Sequence, residues 1–371
     1  MRALELTVSY VIFFFVFLEI SRKLKKGAAG LQYAQDNAHF ATEESFEASP
    51  ELAEAVRRVR SPAVILLNKY ALNVTFNYLC NVASYPDVTK RLLIFAFDWT
   101  AASSIRSAFP DVTVLYWPSK PFSKKFRGGE PPYQFFQLFR ARLAAFLSTK
   151  TEGFWMIQTD TIWRKNLFKV IDLNMHLSKG QNLLFDKDGL NSPMVAGGYF
   201  YAGPGVKTQR FFQNLAVALE TYFLTDNTIM TQLCVAEYEG NKCAYIPFRT
   251  MTNWRWESTD RSFIADFLQY DGGMNQEGKM KALQKIGADF VDSSSLGPTK
   301  KPKCNEWKSK NPERAISEEV LLRETDRRNG PIDVFWSLFR SASDAVFAQY
   351  PSLEKFMIYY IYPYYGFYLA I

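Results

Sequence analysis

The stretch EGFWMIQTDTIWRKNLF, residues 152–168, begins as a buried strand and turns polar where that strand ends. Residues 154–157 form a short apolar run, and Gln158 and Asp160 follow it before a second apolar pair that ends in Trp163. Asp160 has an ordinary explanation as a turn or helix-cap residue. However, a carboxylate beside a buried strand is costly unless it has a partner. The pattern therefore indicates a strand end that meets a ligand.

Other apolar runs around this stretch predict further strands, and two helical patterns, residues 85–95 and 97–109, lie between them. Alternating strands and helices favour an α/β fold with a mostly parallel central sheet and helices on both faces. Ligands of such sheets bind beyond the carboxyl ends of the strands, where Asn68, Asp98 and Asp160 stand. Internal repeats and the glycine-rich motifs GxGxxG and GxxxxGK[ST] are absent. The predicted strands are residues 63–68, 91–98, 112–117, 154–160, 182–186, 197–202 and 244–248.

The composition is that of a folded enzyme or binding protein. Of the 371 residues, 48% are hydrophobic and 16% aromatic, which is enough for a large core. The net charge of +7 fits a mildly basic, soluble surface, or an anionic partner such as a nucleoside diphosphate or a membrane surface. Nucleic acid is disfavoured because no long basic tract is interleaved with aromatic residues.

Histidine and cysteine are too scarce for several kinds of site. The two histidines, His39 and His176, give little support to Ser-His-Asp, Cys-His or multi-histidine zinc chemistry. None of the four cysteines forms a CxxC motif. Cys234 and Cys243 flank a short loop and are candidates for a disulfide in an oxidising compartment; the alternative is that they pack unpaired.

The ends of the chain differ from its middle. Residues 6–18 are uncharged and apolar, so residues 1–21 are expected to be a signal anchor or a signal peptide, and the basic residues that follow favour an uncleaved anchor. Residues 22–60 are predicted to be a polar stem, in which residues 42–60 form a helix or a stem, and residues 61–292 are predicted to be the main domain. Residues 293–371 are expected to be a loose basic segment followed by an aromatic tail.

Helix 133–150 carries a cation on its apolar stripe. Phe135, Leu138, Phe139 and Phe146 recur at helical spacing, and Arg142 falls on the same face. A cation there needs an anion, which is either a structural acid or a diphosphate at the edge of the sheet. Arg142 is therefore a candidate diphosphate ligand, whereas Arg140 is predicted to point elsewhere.

Five blocks along the chain resemble the nucleotide-diphospho-sugar transferase domain family, which includes plant xylosyl- and arabinosyltransferases. The similarity covers residues 63–292, and TDTIW is its most specific part. Membership implies a GT-A fold, a nucleotide-sugar donor, a Mn²⁺ or Mg²⁺ ion and transfer with retention of configuration. The blocks are LIFAFD (93–98), FRARLAAFL (139–147), FWMIQTDTIW (154–163), GGYFYAGPGVKTQRFF (197–212) and TDNTIMTQL (225–233).

The resemblance also assigns the metal ligands. The family has two acids, one residue apart, at the strand end; here Gln158 takes the place of the first and Asp160 is the second. The site thus loses one negative charge, which weakens metal binding. A later family block aligns with residues 267–287, where Gln269 stands at a position often occupied by His. In that block Asp271 is expected to complete the metal shell with Asp160.

Other candidate residues complete the predicted site. Asp226 and Asn227 match the family's catalytic Asp-Gln pair, although Asp226 is also a plausible helix cap. Lys279 is expected to meet the diphosphate; its alternative is a solvated lysine. The remaining predicted nucleotide-sugar-binding residues are Asn68, Asp98, Arg142, Gln158, Asp160, Trp163 (as packing that fixes the loop) and Gly198, which starts a strand close to the ligand or forms a bulge.

The predicted function is glycosyl transfer to a glycan or glycoprotein at the Golgi or ER membrane, with the domain in the lumen. The membrane contact would be the N-terminal segment, and the sequon at Asn73 permits this location. One alternative is a GT-A-like domain that binds without turnover, and another is a membrane-anchored interaction protein that uses its aromatic tail. A third is a glycosidase built on the carboxylates of Asp160 and Asp226.

Overall fold

A computed structural model describes residues 2–190, 194–253, 263–269, 276–297 and 300–316, together with short pieces between residues 338 and 361. Every strand predicted from the sequence is present. The ten strands are β1 (Ala63–Leu67), β2 (Leu92–Ala96), β3 (Thr113–Tyr116), β4 (Phe154–Met156), β5 (Thr161–Trp163), β6 (Gln181–Lys187), β7 (Val195–Ala202), β8 (Lys242–Tyr245), β9 (Met251–Thr252) and β10 (Phe267–Gln269).

Seven strands form the central sheet in the order β3-β2-β1-β4-β7-β6-β8. The first four strands in this order, β3, β2, β1 and β4, run parallel to one another. β7 is antiparallel to both β4 and β6, and β8 is parallel to β6. This confirms the predicted α/β fold with a mostly parallel sheet. After β1 the chain adds β2 and β3 on one side and later places β4 on the other. The boundary between β1 and β4 is thus a switch point, where such sheets open a crevice for ligands.

Helices cover both faces of this sheet, and β5, β10 and β9 form a small second sheet. Local signals set several helix starts: Ser49 accepts a hydrogen bond from Leu52 N at the first turn of one helix, and Asp98 does the same for Ala101 N at another. The α-helices up to residue 285 are α1 (Arg2–Asn37), α2 (Glu43–Glu47), α3 (Pro50–Arg58), α4 (Leu72–Val82), α5 (Pro86–Arg91), α6 (Trp99–Ala108), α7 (Pro131–Lys150), α8 (Leu167–Val170), α9 (Leu173–His176), α10 (Val206–Thr221), α11 (Asp226–Val235) and α12 (Gln276–Lys285).

The remaining helical pieces are short. Three more α-helical segments span Glu306–Lys310, Pro312–Ala315 and Pro351–Phe356. The 3-10 turns are Ala38–Ala41, Lys69–Ala71, Lys120–Phe122, Tyr238–Gly240 and Ser293–Ser295.

The core is divided by the sheet into two apolar layers. Alternate residues of β1 show this division: Ala63, Ile65 and Leu67 face a layer that holds α4, α6, the small sheet and α12, whereas Val64 faces α7, α10 and α11. Burial on both faces explains why these strands read as continuous apolar runs. The polar residues at their ends are consequently the first that a ligand can reach.

The segment predicted to be a polar stem packs onto the domain. Phe46 and Leu52 are buried in the same layer as α7, and the Tyr33 hydroxyl donates to Pro121 O at 2.8 Å. Within this segment, the charged residues of α3 lie on its outer face. The sequence of this amphipathic helix therefore resembled that of a solvated stem. As for the N-terminal apolar run, no helix within the described part of the chain is long and apolar enough to cross a membrane.

Two disulfides are present. Cys234 pairs with Cys243, which is one of the two possibilities that the sequence left open, and Cys80 pairs with Cys304, which was not predicted. The second bond joins α4 to the segment predicted to be loose. Part of that segment is therefore folded against the domain, where Ile316 is buried in the core. Of the predicted aromatic tail, residues 362–371 lie outside the described residues.

Candidate active site

A cavity of about 580 Å³ opens beyond the carboxyl ends of β1 and β4, at the switch point of the sheet. This volume lies within the range of small-molecule sites. Elements distant in sequence contribute to it: both strand ends, β7, the start of α11, and α12. The predicted residues that line it are Asn68, Gln158, Asp160, Gly198, Asp226, Asn227 and Lys279.

Asp160 and Lys279 form an ion pair at the wall of this cavity. Lys279 Nζ lies 2.5 Å from Asp160 Oδ2, and the two side chains are only 15% and 11% exposed. Asp160 Oδ1 is buried and accepts no hydrogen bond from any described residue. The carboxylate is thus neutralised on one side and offers one unused acceptor on the other.

Two glutamine side chains lie beside this pair. Gln269 Nε2 donates to Gln158 Oε1 at 2.6 Å, and Gln269 Oε1 is a buried acceptor with no partner among the described residues. A Cβ on Gly198 would come within 2.5 Å of Gln269 Oε1, so only glycine leaves room for this amide. This explains the glycine at the start of the strand.

Arg140 and Asp226 form the second ion pair of the cavity. Arg140 Nη1 lies 3.0 Å from Asp226 Oδ2, both side chains are at most 10% exposed, and the guanidinium also donates to Gly197 O. Burial raises the pKa of Asp226 from its ordinary value, and the charge of Arg140 opposes that rise. Asn227 N donates to Asp226 Oδ1 at 2.9 Å, so the helix start fixes this carboxylate.

Asp186 supports the cavity wall from behind. Its two carboxylate oxygens accept hydrogen bonds from the backbone N–H groups of Gly197, Gly198 and Tyr199, at 2.9–3.1 Å. Complete burial raises the pKa of Asp186 to about 7, although these three donors act in the opposite direction. Asp186 therefore fixes the backbone of the glycine pair that faces the ligand space.

Trp163 stabilises the strand-end loop without lining the cavity. It is fully buried, and its Nε1 donates to the Tyr199 hydroxyl at 3.1 Å. That hydroxyl in turn donates to Gln158 O at 2.7 Å. This agrees with the predicted role of Trp163 in holding the loop, and it makes Tyr199 the link that the sequence did not reveal.

Three predicted site residues need correction or lie elsewhere. Arg142 does not line the cavity: it donates to Glu220 Oε2 and to Ala38 O, both at 2.7 Å. Asp98 also lies off the cavity, where it caps α6 and accepts from Lys69 N at 2.6 Å. Asp271 lies outside the described residues, so the predicted metal pair of Asp160 and Asp271 is not described.

Arg140 is a cavity cation that sequence reasoning missed, as are Lys125 and Arg127. The prediction assumed that α7 has one apolar face, but this helix is covered almost all round by the sheet, α1 and α10. On such a helix, periodicity does not distinguish a site-facing arginine from an outer one. Asn68 is at the cavity as predicted, although its amide is already bonded to Phe122 O at 2.9 Å and to Tyr70 N at 3.1 Å.

The described lining residues carry more positive than negative charge. Their two carboxylates belong to Asp160 and Asp226, and each is ion-paired. Four basic side chains face the same space, which gives it an excess of positive charge suited to an anionic ligand. These basic residues are Lys125, Arg127, Arg140 and Lys279.

The metal ion that the family resemblance implies does not fit this set of residues. Mn²⁺ and Mg²⁺ take oxygen ligands, and at nucleotide sites these are usually one or two carboxylates together with substrate phosphates and water. In the part of the chain that the structure describes, no three His, Cys, Asp or Glu side chains come together. Asp160 is the one strand-end acid in the described lining of the cavity, and Lys279 already occupies its Oδ2.

Comparison with known proteins identifies one matching family. The model of the nucleotide-diphospho-sugar transferase family matches residues 87–283, more than half of the chain. The match includes Gln158, Asp160, Asp226 and Lys279. No curated protein matches the sequence.

Several solved glycosyltransferases are similar in structure. WbbM, a bifunctional glycosyltransferase, shares 11% identity at a TM-score of 0.40, and the match covers 60% of this chain and 49% of WbbM, about half its length. An active-site mutant of LgtC shares 11% identity over 67% of this chain and 99% of LgtC, at a TM-score of 0.41. Glucosyl-3-phosphoglycerate synthase from Mycobacterium tuberculosis, in complex with Mn²⁺ and UDP, shares 12% over 52% and 70%, at 0.29. Similarity at this level carries no argument about the site.

Proposed function

The chain belongs to the nucleotide-diphospho-sugar transferase family, and from this premise we propose that it moves a sugar from a nucleoside-diphosphate donor to a glycan or glycoprotein acceptor. One observation carries the proposal. The cavity at the sheet's switch point brings Asp160, Asp226 and Lys279 together with an excess of basic groups. In this family the donor sugar is attached to a nucleoside diphosphate, which is an anion. The cavity is large enough for a small ligand of that kind.

The basic residues of the cavity bind the leaving group in this proposal. When the bond between the anomeric carbon and the diphosphate oxygen breaks, negative charge grows on the diphosphate. Lys279, Lys125 and Arg127 stabilise that charge because they are already positioned around the cavity. The unused acceptors of Asp160 and Gln269 take hydrogen bonds from donor hydroxyl groups.

Asp226 acts on the sugar rather than on the diphosphate. As the anomeric carbon loses its leaving group it gains positive charge, which a fixed carboxylate stabilises. Arg140 and Asn227 hold that carboxylate in place. The acceptor hydroxyl oxygen forms the new bond to the anomeric carbon as the bond to the diphosphate oxygen breaks, and the hydroxyl proton passes to that departing oxygen. Retention of configuration is adopted from the family resemblance.

A binding protein without turnover is the second candidate. The observation that favours it is Gln158, which replaces an acid and is bonded to Gln269. The glycosidase alternative has less support, because Asp160 and Asp226 are each paired with a cation and neither is available as a free acid.

We also propose a lumenal location in the secretory pathway, with the N-terminal segment as the membrane contact. Its support is the pair of disulfides, which persist in oxidising compartments and are rare in the cytosol. In this proposal the transferred sugar is a hexose or a pentose.

Release of nucleoside diphosphate from a panel of UDP- and GDP-sugars tests the proposed function. Asp226→Asn is expected to lower kcat roughly a hundredfold, with a smaller change in KM, because it removes the charge next to the reacting carbon. Asp111→Asn, the same change at an exposed turn, is the control and should have no effect. Full activity in Asp226→Asn would remove Asp226 from the reaction. Nucleotide binding without release of diphosphate from any donor would favour the binding protein.

A further inference from the structure

The Asp160–Lys279 pair bears on how the diphosphate charge is neutralised, a question that rests on the function proposed above. The family resemblance predicts a divalent cation at Asp160. In the structure a protein cation is already there, 2.5 Å from Oδ2, and the pair is largely buried. A metal ion on the same oxygen would lie against the Lys279 ammonium, and like charges at that distance repel strongly where water is excluded.

The neighbouring ligands do not compensate for this competition. The family's first acid is Gln158 here, and its amide oxygen accepts a hydrogen bond from Gln269. Among the described residues, the remaining acceptors are Asp160 Oδ1 and Gln269 Oε1, which provide one carboxylate oxygen and one neutral amide oxygen. Sugar or ribose hydroxyl groups satisfy such acceptors, whereas Mn²⁺ and Mg²⁺ prefer more anionic sets.

The charge of the cavity points the same way. Four basic residues and two carboxylates line its described part, so the protein carries a positive excess before any ion is added. That excess matches the charge of a nucleoside diphosphate. In a metal-dependent site the bound ion itself would supply much of that positive charge.

We infer that this cavity binds its nucleoside diphosphate without a divalent cation, and that the Lys279 ammonium, paired with Asp160, takes the place of the ion. Lys279 then bonds the diphosphate directly, while Asp160 positions it. Lysine is suited to this role because it contacts phosphate as a compact point charge on a flexible stem.

The test is calorimetric titration of the full chain with UDP, GDP, CDP and ADP, each in excess EDTA and then in Mn²⁺ or Mg²⁺. We expect at least one nucleotide to bind in EDTA with a Kd within about threefold of its value with metal. Lys279→Met should weaken that binding roughly tenfold or more, the usual effect of losing a charge-assisted hydrogen bond. Lys279→Arg keeps the charge and should recover most of the loss.

Lys281→Met is the matched control. It removes the same charge from the same helix at an exposed position, so its Kd should stay within about twofold of the wild type if contact, rather than overall charge, is responsible. Equal losses in the two methionine variants would overturn the role of Lys279. Mn²⁺ titration followed by electron paramagnetic resonance, with the bound nucleotide present, should show no tightly held ion.

Two negative results separate the two proposals. Binding that requires Mn²⁺ or Mg²⁺ overturns the metal-free inference and leaves the donor site intact. Failure of all four nucleotides to bind, with or without metal, overturns the proposed function and this inference with it.

Discussion

Arg140 and Arg142 are two positions apart on α7 and have different environments. Arg140 is buried at the cavity with Asp226, and Arg142 is partly exposed and bonded to Glu220. Sequence pattern alone does not distinguish them, because both lie within an aromatic helix that is buried on most sides. Only the fold determines which arginine reaches the strand ends.

Substituting each arginine by methionine should separate these roles. Arg140→Met leaves a buried carboxylate unpaired, so the free energy of unfolding should fall by roughly 3–5 kcal/mol. Arg142→Met breaks a partly exposed pair and should cost about 1 kcal/mol with little change in nucleotide binding. Urea denaturation measures both values.

The double variant Arg140→Met/Asp226→Asn provides the internal check. It removes both buried charges, so it should be more stable than Arg140→Met alone. If the double variant were the less stable of the two, the ion pair would not be the reason for the loss.

Asp186 provides a prediction about pH. Its pKa in the folded protein, about 7, lies above the ordinary value of 3.8, so at intermediate pH the unfolded chain loses a proton that the folded chain keeps. The free energy of unfolding should therefore fall as pH rises from about 4 to about 7, by an amount on the order of 2–4 kcal/mol, and change no further above that.

Comparison of the wild type with Asp186→Asn isolates this contribution. The difference between their urea denaturation curves should depend on pH in the same window, and Asp111→Asn should show no such dependence. A difference that is constant with pH would mean that the three backbone donors keep Asp186 ionised throughout.

At the scale of elements, the sheet was predictable and the N-terminal helices were not. Short apolar runs that end in Asn68 or Asp160 indicate, from the sequence alone, both the strand and the polar residue at its end. Residues 22–60 instead alternate charged and apolar side chains. This pattern is equally typical of a solvated stem and of a helix that packs onto a domain through one face. The partner of that face, α7, is close only in three dimensions.

The two disulfides should differ in how much they stabilise these elements. Cys234 and Cys243 are 9 residues apart, whereas Cys80 and Cys304 are 224 apart. Loop-closure entropy gives roughly 2–3 kcal/mol for the first and roughly 5 kcal/mol for the second. Double serine variants of each pair, compared by thermal melting under non-reducing conditions, should show the larger loss for Cys80 and Cys304. The reverse order would mean that the segment around Cys304 docks firmly without its bond.

At the scale of the whole molecule, the switch point between β1 and β4 explains why the site lies where it does. The sequence predicted Asn68, Gln158 and Asp160 at this crevice because each follows an apolar strand pattern, but it did not predict most of the other lining residues. It did not predict the pairing of Asp160 with Lys279, because the two are 119 residues apart and belong to different layers. Family resemblance identified both residues but assigned the acid to a metal.

The central claim is that this crevice holds the nucleotide of a sugar donor, and the melting temperature of the intact chain tests it most directly. The chain would be heated with increasing UDP, GDP or CMP. A ligand at a hundred times its Kd stabilises the folded state by about 2.7 kcal/mol, so one nucleotide should raise the melting temperature by a few degrees and the others much less. An unchanged melting temperature with every nucleotide would contradict the claim.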